Sequence, residues 1–269
     1  MKLYPTRATA LAMALSLLTA CTSIQVPPAY LLAKEGAHAT AVSKFGPVFV
    51  VRTVSVLAGS SRAAEKFTVI DECRSGKLHV ALRRQENAEA YAAPTCAAVL
   101  TALQYAIAAS GLPDVELKLI VDLISPGQQL IARTSSLATA ARASTRYAFA
   151  LDKEGDLAAA NVVSTTAHET FHLLRGLSGT TSEMQEEERL AYTMGACAQL
   201  QALGWVRSKD LPAIALATHV KGVSESVAAS NAAGLSVTRD LMPFLRNGAV
   251  TKASQEGNAM QQFCLKALR

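Results

Sequence analysis

His168-Glu169-Thr170-Phe171-His172 is the segment that most constrains the fold, because its polar side chains can act together only on a helix. Residues four apart lie on one helical face, so both imidazoles can reach a single metal ion. Glu169 follows the first histidine, roughly 100° round the helix. It is too close to both histidines to be a third ligand and is placed instead to hold a water beside the metal. An H-E-x-x-H segment on a helix is the pattern of zinc-dependent hydrolysis. A catalytic zinc usually takes three protein ligands, so the fold must bring one more from elsewhere in the chain.

The carboxylates that follow are Glu183, Glu186, Glu187 and Glu188, all in one expected helix after a glycine-containing turn. Here the chain resembles the gluzincin class of metallopeptidases, in which H-E-x-x-H is followed by a glutamate on the next long helix. Many of those families place a small residue three positions after the glutamate, and Glu188-Arg189-Leu190-Ala191 has that form. The resemblance implies a zincin-like fold, Zn2+ as cofactor, His168, His172 and Glu188 as metal ligands, and Glu169 as general base. Glu187 is the alternative third ligand. Glu183 and Glu186 read as an acidic helix start that complements the macrodipole. Two departures stand out. Tyr192 occupies the position where several such families have an aspartate that orients a zinc-bound histidine. No further histidine follows in Leu173-Leu174-Arg175-Gly176-Leu177-Ser178, so the metzincin extension is missing. The resemblance covers the histidine helix, its successor and the strand before them, and carries no substrate identity.

Glu188, Ala191 and Gly195 fall near one helical face, which would let the second helix approach the histidine helix closely. The tetrahedral oxygen formed in hydrolysis needs a donor besides the metal. His219, Tyr192 and Tyr147 are the candidates, none with a diagnostic spacing.

The N-terminus has the parts of an export signal: Lys2 and Arg7, an apolar run from Ala8 to Leu18, then small residues. Leu18-Thr19-Ala20-Cys21 resembles the bacterial lipobox, whose cysteine is diacylated and becomes the mature N-terminus. Two acyl chains suffice for stable anchoring, so residues 1–20 read as a lipoprotein signal peptide, Cys21 as the lipidation site and residues 21–45 as a tether. Thr22 is not the aspartate that signals inner-membrane retention, which points to the periplasmic face of the outer membrane.

Loss of residues 1–20 lowers the formal charge from +5 to +3, and no run of four basic residues occurs, so nucleic-acid binding is excluded as a leading function. Beyond Cys21, Cys73, Cys96, Cys197 and Cys264 form an even set in an exported chain and read as two disulfides. Three pairings are possible. Proximity along the chain favours Cys73 with Cys96 and Cys197 with Cys264.

Residues 46–269 read as one α+β domain, with a small mixed sheet in the N-terminal half and a helical C-terminal half. Val48–Val56, Phe67–Ile70 and Leu78–Leu82 look like a strand meander, with His79 on the solvent side of the third. A helix is expected from Cys96 to Gly111. Residues 117–123 alternate as a half-buried strand, with Asp122 on the open face. Residues 125–144 have no assignment. Arg146–Leu151 is a strand, expected at an exposed sheet edge where an extended peptide substrate could add. Ser182 and Gln185 form a capping-box pattern. Asp210-Leu211-Pro212 reads as a helix start, with a later break at Pro243.

These expectations describe a lipid-anchored zinc metallopeptidase of the bacterial envelope, acting on a peptide or protein substrate. The alternatives are a non-catalytic envelope lipoprotein with a structural or vestigial metal site, and a zinc hydrolase of cell-wall peptide crosslinks or another amide.

Overall fold

Leu78, Val80 and Leu82 alternate with more polar residues, and the backbone follows that pattern into a strand with these three side chains buried. The structure is a computed structural model and describes residues 49–52, 67–85, 94–111, 114–124, 135–139, 142–150, 155–178, 182–212 and 225–268. The signal peptide, the tether and Cys21 lie outside the described residues.

The main sheet has six strands: β1 (Phe49–Arg52), β2 (Phe67–Ser75), β3 (Leu78–Gln85), β4 (Glu116–Ile124), β5 (Ser135–Thr139) and β6 (Arg142–Ala150). Their spatial order is β1-β5-β6-β4-β3-β2. β2 and β3 form a hairpin whose turn uses Gly76 at φ +55°, a conformation that favours glycine. A helix, α1 (Cys96–Ser110), then connects β3 to its parallel neighbour β4. Thr95 caps α1 by accepting from the Ala98 amide, and Gly111 ends it in the left-handed conformation. β4 and β6 are parallel, and β5 pairs antiparallel with both β6 and β1.

Among the described residues four further helices follow: α2 (Gly155–Ser178), α3 (Met184–Leu203), α4 (Glu225–Leu241) and α5 (Gln255–Ala267). A short ribbon of β7 (Trp205–Arg207) and β8 (Ala249–Thr251) joins the helical half. The core runs from Leu117, Leu119, Val121 and Leu123 of the sheet through Val99 and Leu103 of α1 to Leu173, Leu174 and Met194 of the next two helices. The architecture is mixed α+β, as expected from the sequence.

Several local expectations are corrected. The first strand does not begin a meander, since its described part, Phe49–Arg52, pairs with β5 at the edge opposite β2. The unassigned stretch supplies β5 and the start of β6, and β5 pairs with that start. The register with β5 reaches only Arg142, Ala143 and Ser144, so among the described residues Arg146–Ala150, where a peptide edge is expected from the sequence, pairs with β4 alone. Asp122 is fully buried because Arg83, its register partner on β3, grips both its oxygens at 2.7 and 3.0 Å. A buried carboxylate held by a bidentate guanidinium avoids most of the cost of losing water. His79 is half-buried and lies 2.6 Å from Glu72, so it does not point freely to solvent.

Glu183, without a side-chain cap, precedes α3, and Ser182 accepts from Arg175 instead of closing a capping box. Residues 208–210 form a 3-10 turn in which Asp210 accepts from the Arg207 amide, and a helix beginning at Pro212 would lie outside the described residues. The break at Pro243 appears as a 3-10 turn over Met242–Phe244.

Cys73 is joined to Cys96 and Cys197 to Cys264. The first bond ties the β2 edge to the start of α1, and the second ties α5 to α3. Gly195 lets α3 approach α2: a Cβ there would stand 2.7 Å from the Ser164 carbonyl oxygen.

That contact fixes the sign of a substitution. In an exposed helix Gly→Ala gains up to about 1 kcal/mol in propensity, but overpacking against backbone costs about 1–3 kcal/mol. Gly195→Ala is expected to lower stability in urea unfolding, and a more stable variant would contradict the close approach.

Candidate metal centre

α2 presents His168, Glu169 and His172, and its 24-residue length places the three well inside the helix, where they are buried. The two imidazoles lie on one face with their Nε2 atoms 3.2 Å apart. α3 crosses beside them, packed close at Gly195, and supplies Glu188. Its Oε2 lies 3.5 Å from His168 Nε2 and its Oε1 3.7 Å from His172 Nε2. Each of the three residues offers a ligand atom, and these atoms all lie within 4.8 Å of one another. Donors about 2.0–2.1 Å from a tetrahedral ion stand roughly 3.3–3.4 Å apart. The spacings here bracket that value, so this buried His-His-Glu group could hold a metal ion.

The electrostatics point the same way. Burial holds the His168 imidazole well below its usual range, with the charge of His172 adding to the effect, so His168 is neutral and keeps a lone pair for a cation. Burial also raises the Glu188 carboxyl. Burial pushes Glu169 up to about 7, against the charge of His172 and with that of Glu188. Burial lowers His172, but its hydrogen bond with Glu187 and the surrounding carboxylates outweigh that and raise it. A divalent cation among these groups would offset the cost of burying their charge. Glu169 Oε2 is buried without a hydrogen-bond partner, an acceptor still open for a water or substrate proton.

Neighbouring contacts assign further roles. Glu187 does not join the donor cluster. Its Oε1 lies 3.3 Å from His172 Nδ1, while both its oxygens accept from Arg175 Nε at 3.0 and 2.7 Å. The histidine-orienting carboxylate that Tyr192 cannot supply is thus provided by Glu187. Tyr192 packs edge-on against His168, with ring centroids 4.6 Å apart, and its hydroxyl lies 2.8 Å from Ser230 Oγ. Ser230, on α4, donates to Glu188 Oε2 at 3.4 Å. Glu183 and Glu186 stay at the exposed helix start, Glu186 paired with Arg189.

Of the three candidate donors to a tetrahedral oxygen, Tyr192 stands beside the site. Tyr147 is fully buried on β6, with its hydroxyl 3.1 Å from Thr170 Oγ1, where it braces α2 against the sheet. His219 lies outside the described residues. Sequence reasoning missed Arg175 and Ser230. Arg175, three residues after His172, was detectable by helical spacing. Ser230, 42 residues from Glu188, left no local signal.

Compared with family models, curated proteins and solved structures, the chain has no match.

The protein is expected to bind one divalent metal ion per chain, measured by elemental mass spectrometry. His172→Ala and Glu188→Ala should each lose the ion while circular dichroism shows a folded chain. Retention of a full equivalent in both variants would remove these residues as ligands.

Proposed function

We propose that this chain is a zinc-dependent metallopeptidase, lipid-anchored in the bacterial cell envelope and acting on peptide or protein substrates. The observation that carries the reading is the grouping of His168, His172 and Glu188, with Glu169 Oε2 buried and without a hydrogen-bond partner on the histidine helix. Two imidazoles and a carboxylate form a zincin-type catalytic ligand set, which favours zinc over harder cations. A zinc ion held there would supply Lewis acidity to the scissile carbonyl and to water.

The chain's own residues do the rest. Glu169 takes a proton from the attacking water at its carboxylate and delivers it to the nitrogen of the leaving amine. A carboxyl raised to about 7 is poised for both halves of that transfer near neutral pH. Glu187 fixes the His172 tautomer by accepting at Nδ1, and Ser230 steadies the Glu188 carboxylate. Tyr192 donates its hydroxyl proton to Ser230, whose own proton goes to Glu188, so Tyr192 steadies the ligand carboxylate. Substrate addition along Arg146–Ala150 is compatible with this reading, because β5 pairs with β6 only at Arg142–Ser144.

One observation favours a second reading, a non-catalytic envelope lipoprotein with a structural metal. His168, Glu169, His172 and Glu188 are each only 5 or 6% exposed, and structural zinc sites are closed. A competent Glu169 separates the two readings. Glu169→Gln should retain the metal and lose peptide hydrolysis by a factor of about 10²–10⁴ or more. Equal activity in parent and variant, or none in the zinc-loaded parent across a broad peptide library, would favour the structural reading.

The location rests on the lipobox at Cys21 and is supported by the two disulfides, which suit an oxidising compartment. No helix among the described residues is long and apolar enough to cross a membrane. Labelled fatty acid should enter the protein expressed in a Gram-negative host and be lost in Cys21→Ser, with the parent in the outer-membrane fraction. Unlabelled parent protein would exclude the anchor.

A further inference from the structure

Arg175 stands one turn beyond His172 on α2 and touches none of the three donor residues directly, yet it holds the groups on which their arrangement depends. Its Nε donates to both oxygens of Glu187 at 3.0 and 2.7 Å, and its Nη2 donates to Ser182 Oγ at 2.6 Å. The guanidinium lies 5.6 Å from the centre of the Phe171 ring. One side chain therefore grips the end of the histidine helix, the start of the Glu188 helix and the carboxylate that faces His172.

We propose that Arg175 is a positioning residue of the metal site, acting through Glu187 to decide which of two adjacent glutamates serves as ligand. The inference rests on the reading that the site holds zinc. Glu187 and Glu188 are consecutive on α3, and both meet His172, Glu187 at Nδ1 and Glu188 near Nε2. Two carboxylates so placed would compete for one cation. Arg175 settles the competition by engaging both oxygens of Glu187, which leaves Glu187 Oε1 to meet His172 Nδ1 at 3.3 Å. An acceptor at Nδ1 puts the ring proton there and leaves Nε2 with its lone pair free, directed at the donor cluster. Glu188, with Ser230 as its hydrogen-bond donor, keeps its two oxygens facing His168 and His172.

The guanidinium is suited to this task in a way an ammonium is not. It donates in two directions at once, to Glu187 through Nε and to Ser182 through Nη2, from a planar fork with fixed angles. Lysine would offer one point charge for both.

The test is a double-mutant cycle on zinc affinity in the full chain, read by competition with a chromophoric chelator. Arg175→Ala and Glu187→Ala should each weaken zinc binding about 10- to 100-fold, the range for loss of an outer-shell partner. The double variant should lose no more than either single one, because both act along one path. Arg175→Lys should recover only part of the loss. Arg175→Gln, which keeps part of the side-chain length without the guanidinium, replaces the alanine variant if that one is unfolded, with the same loss expected. Zinc affinity within twofold of the parent in Arg175→Ala or Arg175→Gln would overturn the proposal, as would a double variant whose loss is the product of the two single losses. A parent chain that takes up no zinc would overturn the proposed function and this inference together.

Discussion

The close crossing of α2 and α3 is the constraint on which the rest of the site depends. The histidines belong to one helix and Glu188 to the other, and a carboxylate side chain is short, so its oxygens reach the imidazoles only if the backbones approach. Gly195 permits that approach, since any side chain there would enter the Ser164 carbonyl. Ala191, fully buried one turn nearer the site, continues the narrow seam. Two turns of small residues thus bring three ligand atoms within 4.8 Å of one another. The Cys197–Cys264 bond ties α5 to α3 just beyond Gly195 and limits how far α3 can move away from its neighbours.

Bringing two imidazoles and several carboxylates into a buried seam has a large electrostatic cost, and the structure divides that cost among distinct partners. Glu187 keeps its charge because Arg175 and His172 face it, which holds its carboxyl low despite the opposing effect of burial. Glu188 and Glu169 have no guanidinium within salt-bridge reach among the described residues, and burial raises both. A group that lacks its own cation in a desolvated site is the one that benefits most from a bound metal or a transferred proton. Two adjacent glutamates thus sit in different electrostatic surroundings, Glu187 against His172 and Arg175 and Glu188 without a guanidinium among the described residues.

The sheet contributes rigidity more than access. β4 lies between β3 and β6, both parallel to it, and its buried face supports the helices. Tyr147 extends from β6 to Thr170, next to Glu169, so the position of the proposed base is referred to the sheet as well as to its helix. β5 pairs with β6 only at Arg142, Ala143 and Ser144, so among the described residues the ladder on that side of β6 ends before Tyr147, where an extended peptide is expected from the sequence to add.

Period and local chemistry made part of this protein legible from its sequence alone. The alternation of Leu78, Val80 and Leu82, the four-residue spacing of His168 and His172, the stop at Gly111 and the small residues after Glu188 each act within a few residues, and each produced the element expected. The roles of Glu187, Ser230 and Asp122 were settled only by the tertiary structure. Glu187 and Glu188 are neighbours with the same side chain, and it is their tertiary partners, Arg175 and His172 Nδ1 for one and Ser230 for the other, that distinguish them. Asp122 sits in a strand with clean alternation, yet a facing arginine one strand away draws it out of water. The start of β6 gained a second neighbour because a segment with no readable period, residues 135–139, paired with Arg142–Ser144. Local propensity follows from the chain's own covalent geometry, whereas partner choice between distant polar groups depends on where packing places them.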